Sequence, residues 1–263
     1  MSADPAVSTL DPGAVGIRLD GVHKSFGTQH VLRGVSLEVL RGQITVVIGR
    51  SGTGKSVLLK HLMGLIRPDQ GTIEVSGENI TGLDDSSLRR VRNRFGMVFQ
   101  NAALFDSMDV FENVAFPLRE HTKMKEKEIR ERVESMLAAV GLSGQGKKEP
   151  PQLSGGMRKR VGVARAMVRG PEFLLYDEPT TGLDPIMTAQ IDALIRGTQD
   201  QYPGLTSLVI SHDMEATMRT ADKIAMLYEG EIILEGSPEV FRTSEDPVVR
   251  QFVEGRLDGP IQA

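Results

Sequence analysis

The chain has 263 residues, 40% hydrophobic and 25% charged, which suits a water-soluble globular protein with a sizeable core. Lys and Arg total 31 against 35 Asp and Glu; this net charge of −4, with 5% aromatics and no Trp, argues against a nucleic-acid partner, whose binding face would be basic. The absence of Cys excludes disulfides and thiolate metal sites, and no apolar run approaches the roughly 20 residues of a membrane-spanning helix.

In chain order, residues 1–16 lack the basic start and apolar stretch of a signal peptide and predict a short flexible tail. Ile17, Leu19 and Val22 fit one strand, and Val35, Leu37 and Val39 another, with Arg33-Gly34 and Arg41-Gly42 as breaks. Residues 43–48 form a β-branched run suited to a buried central strand. Over residues 55–64, Leu58, Leu59, Leu62 and Met63 recur at helical spacing. Residues 72–75 and 94–99 predict further strands, the second ending at Gln100. From 112 to 170 the pattern is helical, including a charged amphipathic stretch over 123–140 and a helix from just after Leu153 to about Arg169. Strand texture returns at 173–176, 207–210, 224–227 and 231–234, with helices over 185–198 and 214–220. Strands alternating with helices predict an α/β fold with a parallel core sheet. The expected division is a tail (1–16), a core (17–100 and 171–236), an inserted helical subdomain (101–170) and a C-terminal extension (237–263).

Three motifs carry chemistry. Gly49-Arg50-Ser51-Gly52-Thr53-Gly54-Lys55-Ser56 matches G-x-x-x-x-G-K-[ST], with a β run before it and a helix after. Its glycines let backbone N–H groups turn toward phosphate oxygens, and the helix N-terminus, where Val57 follows, adds partial positive charge. Lys55 would reach the β- and γ-phosphates of a nucleotide, and the Ser56 hydroxyl would ligate Mg²⁺. Second, an apolar strand delivers Asp177 and Glu178 at its end. Asp177 would hold Mg²⁺, and Glu178 would orient or deprotonate the attacking water. Third, Leu153-Ser154-Gly155-Gly156-Met157 opens a helix as a second anion cradle. One nucleotide has one γ-phosphate, already held by the first cradle, so the second predicts a head-to-tail pair of subunits with two ATP molecules between them. Ser211-His212-Asp213 is no hydrolase triad, because sequence neighbours point in different directions.

The order of Gly49–Ser56, Gln100, Leu153–Met157, Asp177-Glu178, Thr181–Asp184 and His212 resembles the ATP-binding cassette (ABC) family over residues 17–235. The resemblance implies the P-loop ABC ATPase fold, with an antiparallel β portion beside the parallel sheet. Phe26 resembles the aromatic that stacks on adenine, where Tyr is commoner. Gln100 resembles the glutamine that senses Mg²⁺ and water and couples to the membrane subunit. Ser154, Gly155 and Gly156 resemble the signature that meets the partner's γ-phosphate. Asp184 resembles the aspartate of the loop linking the two sites, and His212 the switch histidine that contacts the γ-phosphate. Met157, Arg50 and Thr181-Gly182 depart from the commonest residues without removing a phosphate or metal ligand.

Residues 100–121, the Leu-Ser-Gly-Gly-Met signature, Asp184-Pro185-Ile186 and the tail from Asp246 are similar to the ATPases of bacterial Mla/Mce-type lipid transport systems. That implies a homodimer on the cytoplasmic face of the inner membrane, peripheral to an integral permease, with STAS-domain and Mce-domain partners. Leu104, Phe105, Val110 and Phe111 would serve the subdomain core, a groove for a permease helix, or both. An importer ATPase for amino acids or another polar solute, and a soluble ABC protein of DNA repair or translation, stand as alternatives. Pro247, Val248, Val249, Phe252 and Val253 form an apolar cluster that would dock on its own domain or cross to the second subunit.

Overall fold

A computed structural model describes residues 13–261; most of the expected tail, residues 1–12, lies outside the described residues. Apolar alternation produces β1 (Val15–Phe26) and β2 (Gln29–Leu40), a long antiparallel pair. The fully buried β3 (Ile44–Ile48) leads into α1 (Lys55–Leu62). Then come β4 (Gln70–Val75), β5 (Glu78–Asn79), α2 (Asp85–Arg92) and β6 (Phe95–Val98). A helical stretch holds α3 (Val110–His121), α4 (Glu126–Ala139), a 3-10 turn at Pro150–Gln152 and α5 (Gly155–Met167). The chain returns through β7 (Phe173–Asp177), α6 (Pro185–Gln201), β8 (Thr206–Ser211), α7 (Met214–Thr220), β9 (Lys223–Tyr228) and β10 (Glu231–Gly236), and closes with α8 (Pro238–Thr243) and α9 (Pro247–Glu254).

Two sheets form. One is antiparallel in the order β2-β1-β4-β5; the other runs β10-β9-β3-β8-β7-β6, parallel throughout except for β10. The parallel strands are apolar on both faces because both are covered. Val46, Leu174 and Tyr176 point to the side of α3–α6, whereas Val47, Phe173 and Leu175 point toward α1 and the antiparallel sheet. α3, α4 and α5 share the first of these clusters with the sheet.

Two expectations change. β2 runs unbroken through Gly34, which has φ +94 opposite a register shift in β1, so that glycine bends the strand instead of ending it. β5 and α2, absent from the sequence reading, lie between β4 and β6.

Register positions the site. Ile48 pairs with Ser211, and Asp177 with Ile210, so β3, β7 and β8 end at one edge of the sheet. The residues that follow, Gly49, Glu178 and His212, leave that edge together, where open α/β sheets bind ligands.

Candidate functional site

The turn from β3 to α1 depends on glycine at two points. A Cβ on Gly49 would collide with the Leu227 carbonyl, and one on Gly54, at φ +102, would lie 2.8 Å from Val31 Cγ1. With Gly54 as N-cap, α1 begins at Lys55 without a side-chain cap. The Lys55 ammonium is 4% exposed and donates to the Gly49 and Arg50 carbonyls at 2.7 and 2.8 Å. Burial lowers its pKa, opposed by the charges of Glu178 and Asp177. Ser56 Oγ donates to Asp177 Oδ1 at 3.0 Å, joining the phosphate turn to β7. Burial raises the Asp177 pKa; the Ser56 bond opposes that shift and the Glu178 charge adds to it.

Glu178 stands where several constraints meet. Its backbone is left-handed, φ +48, and its N–H donates to the Ile210 carbonyl at 3.0 Å. Such a conformation costs of order 1–2 kcal/mol for a residue with a Cβ, and persists where the surroundings over-determine it. Oε1 lies 3.9 Å from Lys55 Nζ; Oε2 accepts from Thr181 Oγ1 at 3.0 Å and lies 3.4 Å from His212 Nδ1. The structure thus brings Lys55, Ser56, Asp177, Glu178 and His212 into one cluster, in which the contact of His212 is with Glu178.

The remaining residues of the sequence reading lie around it. Phe26, 49% exposed, ends β1 with Lys24 Nζ 5.6 Å from its ring centroid. Arg50, Ser51, Gly52 and Thr53 line a cleft of about 760 Å³ with Gln29–Val31 and Tyr228–Gly230. Val57 is half-buried, and its carbonyl bonds His61 Nδ1 at 2.8 Å. Gln100 is exposed, and among the described residues no hydrogen bond joins its side chain to Ser56 or Asp177. Ser154 caps α5 by accepting from the Met157 N–H. Asp184 caps α6, accepting from Ile186 and Met187 at 3.0 Å. The neighbours of Gly155 and Gly156 are Leu183 and Met187, so the signature sits beside the Asp184 turn and not against its own phosphate turn.

Sequence reasoning missed two groups here. The Thr181 hydroxyl orients Glu178, a role hidden in a motif quoted only for its order. Lys159, buried at the start of α5, donates to the Gln100 carbonyl and, at 3.4 Å, to that of Thr181. A cation on the buried side of a helix otherwise lined by apolar residues was the available signal.

The donor set fits a hard divalent cation. Ser56 and Asp177 supply one hydroxyl and one carboxylate, and among the described residues no three His, Asp or Glu are arranged so that they could hold a metal ion by themselves. So sparse a set suits Mg²⁺, which completes its shell with waters and substrate phosphates.

The sequence profile of the family described as "ABC transporter" matches residues 32–181. The probable ribonucleotide transport ATP-binding protein mkl of Mycobacterium tuberculosis (strain ATCC 25618 / H37Rv) is 46% identical over 95% of this chain and 69% of its own length. The intermembrane phospholipid transport system ATP-binding protein MlaF of Escherichia coli (strain K12) is 42% identical over 89% of this chain and 87% of its own. Among solved structures, cbiO1 from Clostridium perfringens, part of the ABC transporter complex cbiONQ, superposes with TM-score 0.81 and 30% identity, covering 90% of this chain and 94% of that one. The dimeric post-hydrolysis state of the ATP-binding cassette MJ0796, bound to ADP and Pi, gives TM-score 0.76 and 30% identity over 84% and 98%. The phosphate turn, the acid pair and the signature stand within the cassette fold that these relatives share, and the chain belongs to the ABC transporter family as one of its ATP-hydrolysing subunits.

Proposed function

We propose that the chain powers the movement of phospholipid or another lipid between envelope membranes, as the ATPase subunit beneath an integral permease. The observation that carries the ATPase half is the cluster of Lys55, Ser56, Asp177, Glu178 and His212 at one sheet edge. The lipid half rests on the similarity to MlaF and to the chloroplastic protein trigalactosyldiacylglycerol 3 of Arabidopsis thaliana, 45% identical over 92% of this chain and 74% of its own.

In this reading Phe26 stacks on adenine and the backbone of residues 49–57 surrounds the phosphates. Lys55 exchanges its carbonyl partners for β- and γ-phosphate oxygens. Ser56, Asp177 and Gln100 would hold Mg²⁺, which when bound neutralises charge on those oxygens. Glu178, held by Thr181 and facing His212, orients the attacking water and accepts its proton. His212 steadies Glu178 and meets the γ-phosphate. Ser154, Gly155 and Gly156 meet the γ-phosphate held by a second copy, and Asp184 links the two sites of the homodimer.

The helical stretch 101–170 works as a subdomain that docks the permease. A groove of about 440 Å³ beside it is lined by Phe99, Phe105, Phe116 and Pro117, with Phe99 and Phe105 substantially exposed. No helix among the described residues is long and apolar enough to cross a membrane, which suits a peripheral subunit on the cytoplasmic face of the inner membrane. STAS-domain and Mce-domain proteins complete the assembly.

Affinity purification of the full chain from detergent-solubilised membranes tests this reading. The expected co-purifying set is a permease and an Mce-domain protein carrying phospholipid. A permease with a binding protein for a polar solute would favour the import of a polar solute, and a soluble complex would remove the transporter reading.

A further inference from the structure

One side of α5 lies along the segment that leaves β6 and carries Gln100. Lys159, Gly162 and Arg165 recur along that side at intervals of three residues. Lys159 Nζ donates to the Gln100 carbonyl. Gly162 permits the close approach, since a Cβ there would lie 3.3 Å from Ala102 Cβ. Arg165 donates to the Ala102 carbonyl at 2.6 Å and to the Ala103 carbonyl at 2.7 Å. The captured backbone is unusual, with Ala102 and Ala103 both left-handed, φ +58 and +45. Two successive alanines adopt that conformation only where the surroundings impose it. The guanidinium of Arg165 also lies 5.8 Å from the Phe105 ring centroid and lines the aromatic groove beside the helical stretch. One side chain therefore touches both the groove and the loop of Gln100, from a helix whose first turn is the signature.

We propose that Lys159 and Arg165 are positioning residues that clasp the 100–103 loop to α5, so that the approach of Gln100 to the nucleotide is set by the signature helix. The inference rests on the reading of Gln100 given above. Arg165 supplies a planar fork that matches two adjacent carbonyls, which a lysine ammonium cannot reproduce.

Steady-state ATP hydrolysis by the full chain carrying Arg165→Lys or Lys159→Met tests the clasp. Each variant is expected to lower kcat about tenfold while KM for ATP stays within about twofold, because neither touches the phosphate turn. In a Gln100→Ala background neither should lower kcat further, since both act through Gln100. Adding Ala102→Gly and Ala103→Gly to Arg165→Lys should restore part of the loss, because glycine adopts the left-handed backbone without needing the clasp. Wild-type kcat in both single variants, losses that multiply with that of Gln100→Ala, or a loss that the glycines leave untouched would overturn the proposal. Should Gln100→Ala itself hydrolyse at the wild-type rate, the reading of Gln100 falls. The clasp is then decided by amide exchange over residues 101–105, expected about tenfold faster in Arg165→Lys and contradicted if unchanged.

Discussion

At the scale of single residues, the cluster is organised around the carboxylate of Glu178, whose oxygens face a lysine, a threonine hydroxyl and a histidine. The charged residues of that cluster were legible in the sequence because their motifs are long and ordered. Thr181 as the group that fixes Glu178 was not, because the order of residues along a turn does not show where a side chain points. Thr181→Val keeps shape and volume but deletes the donor to Oε2. It should lower kcat about tenfold with little change in KM, a split readable by steady-state kinetics. His61 shows a second feature invisible in sequence, since nothing near it marks a site. Nδ1 donates to the Val57 carbonyl, while Nε2 is buried without a partner. Burial lowers its pKa, and the nearby Lys24 acts in the same direction against Asp69 and the carbonyls. The unfolded chain therefore binds a proton at higher pH than the folded one. Stability should fall as pH drops below the ordinary histidine value of about 6.5, and the loss is complete once pH passes the folded value. His61→Leu should shrink the difference in urea midpoint between about pH 7.5 and about pH 5.5; an unchanged difference would show that other groups cause it.

At the scale of elements, long apolar strands and long amphipathic helices were readable, and short polar elements were not. α2 has eight residues, of which Leu88 and Val91 are buried, too few for a visible period; its start is fixed by Asp84 accepting from the Ser87 N–H. β5 is two residues long and owes its pairing to β4. Gly34 reads as a break, yet it is an extra residue skipped between the Val22–Val35 and His23–Arg33 pairs, which only the register reveals. The C-terminal helices illustrate a choice that sequence leaves open. Phe241 of α8 and Val249 of α9 are buried in the same cluster as the sheet, and Gln251 bonds both the N–H and the carbonyl of Ile261. The apolar side of α9 is thus used on its own chain. Val249→Ala should destabilise the protein by about 2 kcal/mol, seen as a lower urea midpoint at constant slope. An unchanged midpoint would mean that α9 contributes nothing to the isolated subunit.

At the scale of the whole molecule, the sheet edge that gathers the acid pair and the phosphate turn follows from strand alternation, so the α/β architecture was legible. The proposed joint use of two chains rests, in the sequence, on surplus: one cradle more than one nucleotide needs. The structure gives that surplus a place. Gly155 and Gly156 adjoin Leu183 and Met187, and Ile186 on the same turn is 73% exposed. A second copy placed on this cradle would also cover the Ile186 side chain. The account then requires ATP itself to hold two subunits together until Glu178 acts. The most direct test is the molar mass of Glu178→Gln by light scattering, with and without ATP and Mg²⁺. The account predicts a monomer without nucleotide and a stable dimer with it, since binding groups are intact and the water-orienting carboxylate is gone. A Glu178→Gln protein that binds ATP yet stays monomeric, or that consumes it at the wild-type rate while under observation, would contradict the account.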